Sequence, residues 1–542
     1  MLTARRTTSY LSLLALTASL LLAVDCGRSV VPRARPSNLA AGTSTTLPSH
    51  AGIVTAMKRA ADYYRPTFAH TALMPRNGWS WATYFQGVLD TYRQAGDSKY
   101  MSDGLRWGQS TAWAILAPPA GHDPDSLKAA QTYHDLHAID PAVPLTAVDV
   151  DMAHDVAGLP VSQYFWIDAL FTGLPTWTRW ATRTGNAAYL TKMDAQYVWT
   201  RDLGATSSIC AKNPAPRPGL YDTAQHLWYR DCRFVAARDA HGDPVFWSRG
   251  NGWVIASMAQ VLQTLPAAAH ERAMYVGMLQ TLAARLAPLQ GSDGFWRPSL
   301  LDPTLYPQPE TSGTALITSA LAYGISAGLL DAARYLPVVA RAWAGLTTAA
   351  LQPSGFVTDC QSPDVGPAIP YTAAAPRIAP TSGSAGTVNT DAPPFCVGAF
   401  LLAGSAVAHL AADRALGRRV VATSQITGGG VALLTDGDVT THWIASGGFP
   451  QTATIDLGAI RSVSNTMLVP YQDRAYRYSI QTSTDNIHWQ TVVNNTSNTA
   501  TGSHVDTFTT GPIPARWVRL TLIGGAGATT TAIAVKEFGV YT

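Results

Sequence analysis

One carboxylate stands in an aromatic wall. In YFWIDALFTGLPTWTRWATRTGN (164–186), Asp168 is surrounded in sequence by Tyr164, Phe165, Trp166, Phe171, Trp177 and Trp180. An ionised aspartate in such company must find donors or hold a proton. A carboxylic acid kept neutral near pH 7 is what general acid catalysis needs. The same residue also reads as an N-cap, because ALFTGL follows it as a helix start.

The segments around it are helical. From Gly52 onward, apolar residues recur every three or four positions, with Gly-Asp or Pro punctuation between runs. IVTAMKRAADYYRPTF, WSWATYFQGVLDTYRQAGD and KYMSDGLRWGQSTAWAI open the series, and CVGAFLLAGSAVAHLAA closes it. About a dozen helices of ordinary globular length, mostly paired, predict an (α/α)6 barrel over 49–415. No fixed repeat supports a helical solenoid. Two insertions, 205–234 and 359–394, interrupt the helices, and loops of that length are usually functional.

Near Arg418 the texture changes. Alternating, Thr/Val-rich segments such as TATIDLG, YRYSIQTSTD, RWVRLTLI and AVKEFGVY predict an all-β antiparallel sandwich over 419–542. The fold class is therefore multidomain, helical barrel then β-sandwich. No flexible linker separates the two, so docking is expected.

Composition narrows the function. The 542 residues are 47% hydrophobic and 13% charged, which fits a globular chain. A net charge of +3 gives no electrostatic case for nucleic acid. Sixteen Trp and 21 Tyr supply flat surface that suits sugar faces, although most must be core. Arg5 and Arg6 precede the apolar run 11–24, which predicts a signal peptide over 1–25 and a polar linker over 26–48. The product is then secreted, or held at the cell surface or in the periplasm, with no membrane span. Cys26 raises a lipoprotein anchor, but Asp25 stands where such signals carry a small residue. Four further cysteines suggest Cys210–Cys232 and Cys360–Cys396, one of three connectivities the sequence allows.

Four stretches together resemble the unsaturated glucuronyl and rhamnogalacturonyl hydrolases, glycoside hydrolase families 88 and 105. They are WSWATYFQGVLDTY (79–92), the Asp168 stretch, VFWSRGNGWV (245–254) and DGFWRPSLLDP with PETSGTALI (293–317). The resemblance implies removal of a Δ4,5-unsaturated uronic acid from lyase-generated oligosaccharides by hydration of a vinyl ether, without a catalytic cofactor. Asp168 matches the acid/base position. Trp166, Trp247, Arg249 and Trp253 match positions that line the site or contact substrate, and Tyr84 matches a further one. Stacking aromatics and a guanidinium for the uronate suit that chemistry.

The sequence departs from the family in two places. The family's Asp-Asp pair before QTYLDLY is reduced here to Asp125 followed by Ser126. Asp125 is then a second acidic group or an N-cap. The family's loop histidine has no clean counterpart, and His226 is the nearest. The competing functions are an ordinary inverting glycosidase, needing a second carboxylate about 6.5–9.5 Å from Asp168, and a non-catalytic glycan binder.

The C-terminal part resembles the discoidin, or factor V/VIII type C, fold in LLTDGDVTTHWIA (433–445), RWVRLTL (516–522) and AVKEFGVY (534–541). That resemblance implies a structural Ca²⁺ on Asp436, Thr441 and Glu537 with backbone carbonyls. The plainer reading of DGD is a turn.

Overall fold

Among the described residues, twelve long helices and one short one come first in the chain, then nine strands in two sheets. The computed structural model describes residues 47–66, 77–117, 121–208, 217–361, 393–411, 413–526 and 532–542. The expected signal peptide, Cys26, Cys210 and most of the 359–394 insertion lie outside the described residues.

The helices are α1 His50–Tyr64, α2 Trp79–Ala95, α3 Ser98–Ser110, α4 Leu127–Ile139, α5 Thr146–Gly158 and α6 Asp168–Thr184. After α7 Ala188–Leu203 come the hairpin strands β1 Tyr221–Asp222 and β2 Leu227–Trp228, and the short α8 Cys232–Val235. The series continues with α9 Ser248–Thr264, α10 Arg272–Leu286, α11 Thr311–Ser326, α12 Ala332–Gly345 and α13 Pro394–Ala408.

The ring closes. α2 packs on α4, α4 on α6, α6 on α9, α9 on α11, α11 on α13, and α13 back on α2. The closing contact depends on Gly87 and Gly398, since a Cβ on either would strike the backbone of the opposite helix. The remaining long helices pack outside this ring. Local signals set the ends: α2 and α6 stop at Gly96 and Gly185 in left-handed conformation, with φ +71° and +69°. Glu310 starts α11 by accepting from the backbone N–H groups of Ser312 and Gly313. A Cys360–Cys396 disulfide ties the end of one insertion to α13.

The sandwich contains β3 Arg419–Ala422, β4 Trp443–Ile444, β5 Gln451–Val463, β6 Asn465–Pro470, β7 Ala475–Ser483, β8 Gln490–Asn495, β9 His504–Thr507, β10 Ile513–Ala526 and β11 Ala534–Tyr541. One sheet has the order β3-β5-β10-β7-β8 and the other β4-β11-β6-β9, all antiparallel. The smaller sheet docks on the barrel. Met467, Val469 and Tyr541 join the barrel's apolar core, and His50 stacks on Tyr541 at 4.1 Å. Asp97, in the α2–α3 turn, pairs with Lys58 at 2.7 Å and accepts from the Ser503 N–H at 2.6 Å. The expected docking is present. Among the described residues, no helix is long and apolar enough to cross a membrane.

Candidate active site

Alternation of inner and outer helices brings the starts of all six inner helices to one end of the barrel. Trp79, Asp168 and Ser248 are first residues of α2, α6 and α9, and Asp125 precedes α4 by two residues. That end therefore collects the positive poles of six helix dipoles, a favourable place for an anionic sugar.

Asp168 is half-buried and does not cap its helix: Ile167 occupies the cap position, and no side-chain cap bond forms. Its Oδ1 is buried without a hydrogen-bond partner among the described residues. Burial raises its pKa against the opposing pull of Arg230 and Arg249, and Asp231 adds to the rise. Asp125 is not a cap either. Asp123 holds that turn, accepting from Ser126 N–H at 2.9 Å. Burial, then the charges of Asp123 and Asp168, push Asp125 up to about 8, while a hydrogen bond from Thr172 works the other way. The two carboxyls belong to one electrostatic site, and at neutral pH it retains a proton.

Arg249 is buried and rigidly held. Its guanidinium lies 4.1 Å from the Trp247 ring and 5.0 Å from Phe395, and Nη1 donates to the Gln361 carbonyl at 2.6 Å. Trp247 is fixed in turn by its indole N–H on Gln361 Oε1 at 2.7 Å. Arg230 lies 5.8 Å from the same ring and pairs with Asp231 at 2.5 Å. Trp166, half-buried, bridges through its backbone to Asp231. Within the RGNGW turn, Asn251 clamps β2 by exchanging hydrogen bonds with the Trp228 backbone at 2.9 and 3.0 Å. Gly252 packs close to Gly313 of α11.

Beneath lies a polar floor. Lys128 is fully buried, donates to Gln86 and Gln131 at 2.7 Å each, and stands 3.9 Å over Phe171. Phe171 packs on Trp253 at 4.5 Å. Gln131 donates to the carbonyls of Phe171 and Thr172. The floor thus fixes the first turn of the helix that carries Asp168.

The structure brings Asp125, Asp168, Trp166, Trp247 and Arg249 together and corrects three expectations. Tyr84 packs against Trp81 and Phe85, and the charges acting on it are Asp103, Arg65 and Asp62 of the outer helices. It belongs to the wall between helix layers, because its place on α2 turns it away from the ring axis. His226 is exposed at the β1–β2 turn, with φ +53°, and bonds Tyr221 at 2.9 Å. Trp253 is enclosed by Trp79, Phe171 and Phe395, so it supports the site as a wall. Sequence reasoning missed Arg230, Asp231 and Gln361, which come from irregular segments. Arg230 and Asp231 lie inside the cysteine-bearing 205–234 insertion, and that was their only signal.

In the sandwich, Asp436, Thr441 and Glu537 do converge. Thr441 Oγ1 donates to Asp436 at 2.7 Å, and the Gly437 N–H donates to Glu537 Oε2 at 3.0 Å. Glu537 Oε1 is buried without a hydrogen-bond partner among the described residues. Burial and the neighbouring Asp413, Asp436 and Asp438 raise its pKa to about 9. Such uncompensated oxygen donors fit a hard divalent cation. Asp239, Asp243 and Asp302 form a second acidic group, with Asp302 bonded to His241 at 2.5 Å.

Comparison with known proteins follows the two-part fold. The sequence pattern of Glycosyl Hydrolase Family 88 matches residues 54–410, and that of the F5/8 type C domain matches 419–535. The chain is 34% identical over 255 residues to an "Unsaturated 3S-rhamnoglycuronyl hydrolase" of Formosa agariphila, covering 46% of this chain and 58% of that protein. It is 28% identical over 263 residues to a protein of the same name from an Alteromonas species, covering 48% and 59%. The chain thus matches less than two thirds of the length of either relative. A glycosyl hydrolase family 88 structure from Bacteroides vulgatus aligns at 28% identity and TM-score 0.57, over 67% of this chain and 99% of that one.

Proposed function

Because the chain belongs to glycosyl hydrolase family 88, we propose that it removes a Δ4,5-unsaturated uronic acid from the non-reducing end of lyase-generated oligosaccharides. The observation that carries this reading is the half-buried Asp168, whose buried Oδ1 has no partner among the described residues, flanked by Arg230 and Arg249 and coupled to the proton-holding Asp125.

The chemistry follows from that arrangement. Arg249, stacked and pre-oriented, holds the uronate carboxylate. The Asp125–Asp168 pair gives its proton to C4 as the C4–C5 π bond opens, and positive charge develops at C5. Water adds to C5 and returns a proton to the Asp168 carboxylate. The hemiketal at C5 opens to a ketone, leaving a hemiacetal at C1 that expels the rest of the chain. One proton cycled by one carboxyl site is sufficient. An inverting glycosidase would cleave the acetal and release a sugar that keeps its C4–C5 double bond, so the product separates the two readings.

The names of the two relatives favour a rhamnose unit next to the uronyl group. The run at 11–24 favours export of the mature enzyme. In the sandwich, Asp436, Thr441 and Glu537 would hold a Ca²⁺, which would neutralise the acidic cluster and fix the 433–445 loop. The test of the hydrolase reading is loss of the absorbance of the 4,5-unsaturated uronyl group across a panel of lyase products. The expected result is decay with at least one product, absent in Asp168→Asn. No decay with any member of the panel contradicts it.

A further inference from the structure

The two sheets of the sandwich differ in what covers them. Every residue of β6 and β11 is buried, because that sheet lies between the sandwich core and the barrel. The five-stranded sheet buries one side only. Val518, Leu520 and Leu522 of β10 enter the sandwich core, which turns Trp517, Arg519 and Thr521 outward.

Strand register extends that outward side into a surface. Arg419 pairs with Asp456, and Asp456 with Trp517. One row along, Thr454 pairs with Arg519, and Arg519 with Gln481. Arg477 pairs with Gly524 and lies across its backbone, where a Cβ would strike the guanidinium. The surface therefore presents Arg419, Arg477, Arg516 and Arg519 among Thr, Ser and Gln side chains, with Asp456 as its acid. At the rim, Asp485 is engaged by His488 at 2.6 Å.

Arg516 is ion-paired there, with Asp456 at 2.9 and 3.1 Å, and Arg519 Nε donates to Thr454 Oγ1 at 3.4 Å. Among the described residues, Arg419, Arg477 and Arg519 make no ion pair with a carboxylate. Two of the guanidiniums are pre-set by stacking: Arg519 lies 3.6 Å from the Trp489 ring and Arg516 4.4 Å from Trp517. A stacked guanidinium keeps its edge donors available and loses little entropy when it meets an oxyanion. Arg477 stands four residues from Gln481 along β7, so its row and that of Arg519 are roughly 13 Å apart. A single small anion cannot meet both. An extended chain with repeating charges can.

We propose that the outward face of the five-stranded sheet binds an acidic polysaccharide through its carboxylate or sulfate groups. Charge complementarity argues for this occupant, on a face where stacked guanidiniums stand among Thr, Ser and Gln side chains and the exposed Val421. The hydrolase reading contributes only the choice of glycan. Tethering the barrel to the polymer that supplies its substrate ends would be the consequence.

The experiment is affinity electrophoresis of the full chain, in Asp168→Asn form so that hydrolysis plays no part. Gels contain polygalacturonate, dextran sulfate, neutral dextran or duplex DNA. The expected result is retardation by at least one acidic polysaccharide and none by dextran, weakened roughly tenfold or more in Arg477→Gln/Arg519→Gln. Asp456→Asn, which frees Arg516, is expected to strengthen retardation, so the claim survives a misfolded double variant. No retardation, no effect of folded double and Asp456 variants, or equal retardation by DNA overturns the proposal. Uronyl turnover by the chain carrying native Asp168 is read separately, so the two readings fail independently.

Discussion

Asp168 raises the proton affinity of Asp125, and Thr172, one turn after Asp168 on α6, works against that rise. A carboxyl pair that holds a proton is thereby assembled from the turn before α4 and the first turn of α6. Arg230 and Arg249 moderate the rise at Asp168, which suits the proposed mechanism, in which the site gives a proton and takes one back.

The pH profile follows from this pair. With Asp125 near 8, kcat/KM is expected to fall as pH rises through about 8 and the retained proton is lost. Asp123→Asn keeps the turn's acceptor and removes a charge that raises Asp125, so the alkaline limb moves to lower pH. Stability carries the same sign. The folded state holds a proton that the unfolded chain releases near pH 4. The stability linked to Asp125 is therefore full below about pH 4 and lost progressively toward pH 8. Melting temperatures of Asp125→Asn should decline less over that window.

Arg249→Lys keeps the charge and loses the fit. The stack on Trp247 and Phe395 and the bond to the Gln361 carbonyl depend on a planar guanidinium. The expected cost is about 1.5–3 kcal/mol, roughly a 10- to 150-fold fall in kcat/KM. Steady-state kinetics on the reactive lyase product measures it.

Much of this was legible beforehand. The helical period gave a ring of inner helices, and WxRGNGW with WxDAL pointed to Asp168 and Arg249, because motif spacing survives in regular elements. Arg230, Asp231 and Gln361 lie in segments without a period, and only the fold carries them to the site. Tyr84 misled because a motif match does not say which side of a helix faces the axis. His226 misled because nearness in sequence is not direction in space. Asp168 looked like a cap from sequence and is not one, since Ile167 takes that place.

Lys128→Met tests the floor. Gln131 Oε1 would lose its donor 2.7 Å away, and Gln86 Oε1 would keep only Gln260 Nε2 at 3.3 Å, at about 1–3 kcal/mol for the oxygen left unsatisfied. Urea denaturation should show that loss. A fall in kcat is also expected, because Gln131 positions the Phe171–Thr172 backbone beside Asp168.

Calcium is tested by its removal. A chelator is expected to lower the melting temperature of the full chain by several degrees, and added Ca²⁺ to restore it. Saturation at 100 times Kd corresponds to about 2.7 kcal/mol. Glu537→Gln, which keeps the Gly437 contact and loses the charge, should melt at one temperature with or without chelator. An unchanged melting temperature for the native chain after chelation contradicts the site.

The central claim is that a proton goes to carbon. Running the reaction with a turned-over lyase product in D₂O and reading the released sugar by NMR tests this directly. The account predicts one solvent deuterium at C4 in every product molecule and no turnover by Asp168→Asn. Release of a uronic acid that retains its C4–C5 double bond, without deuterium at C4, would contradict it.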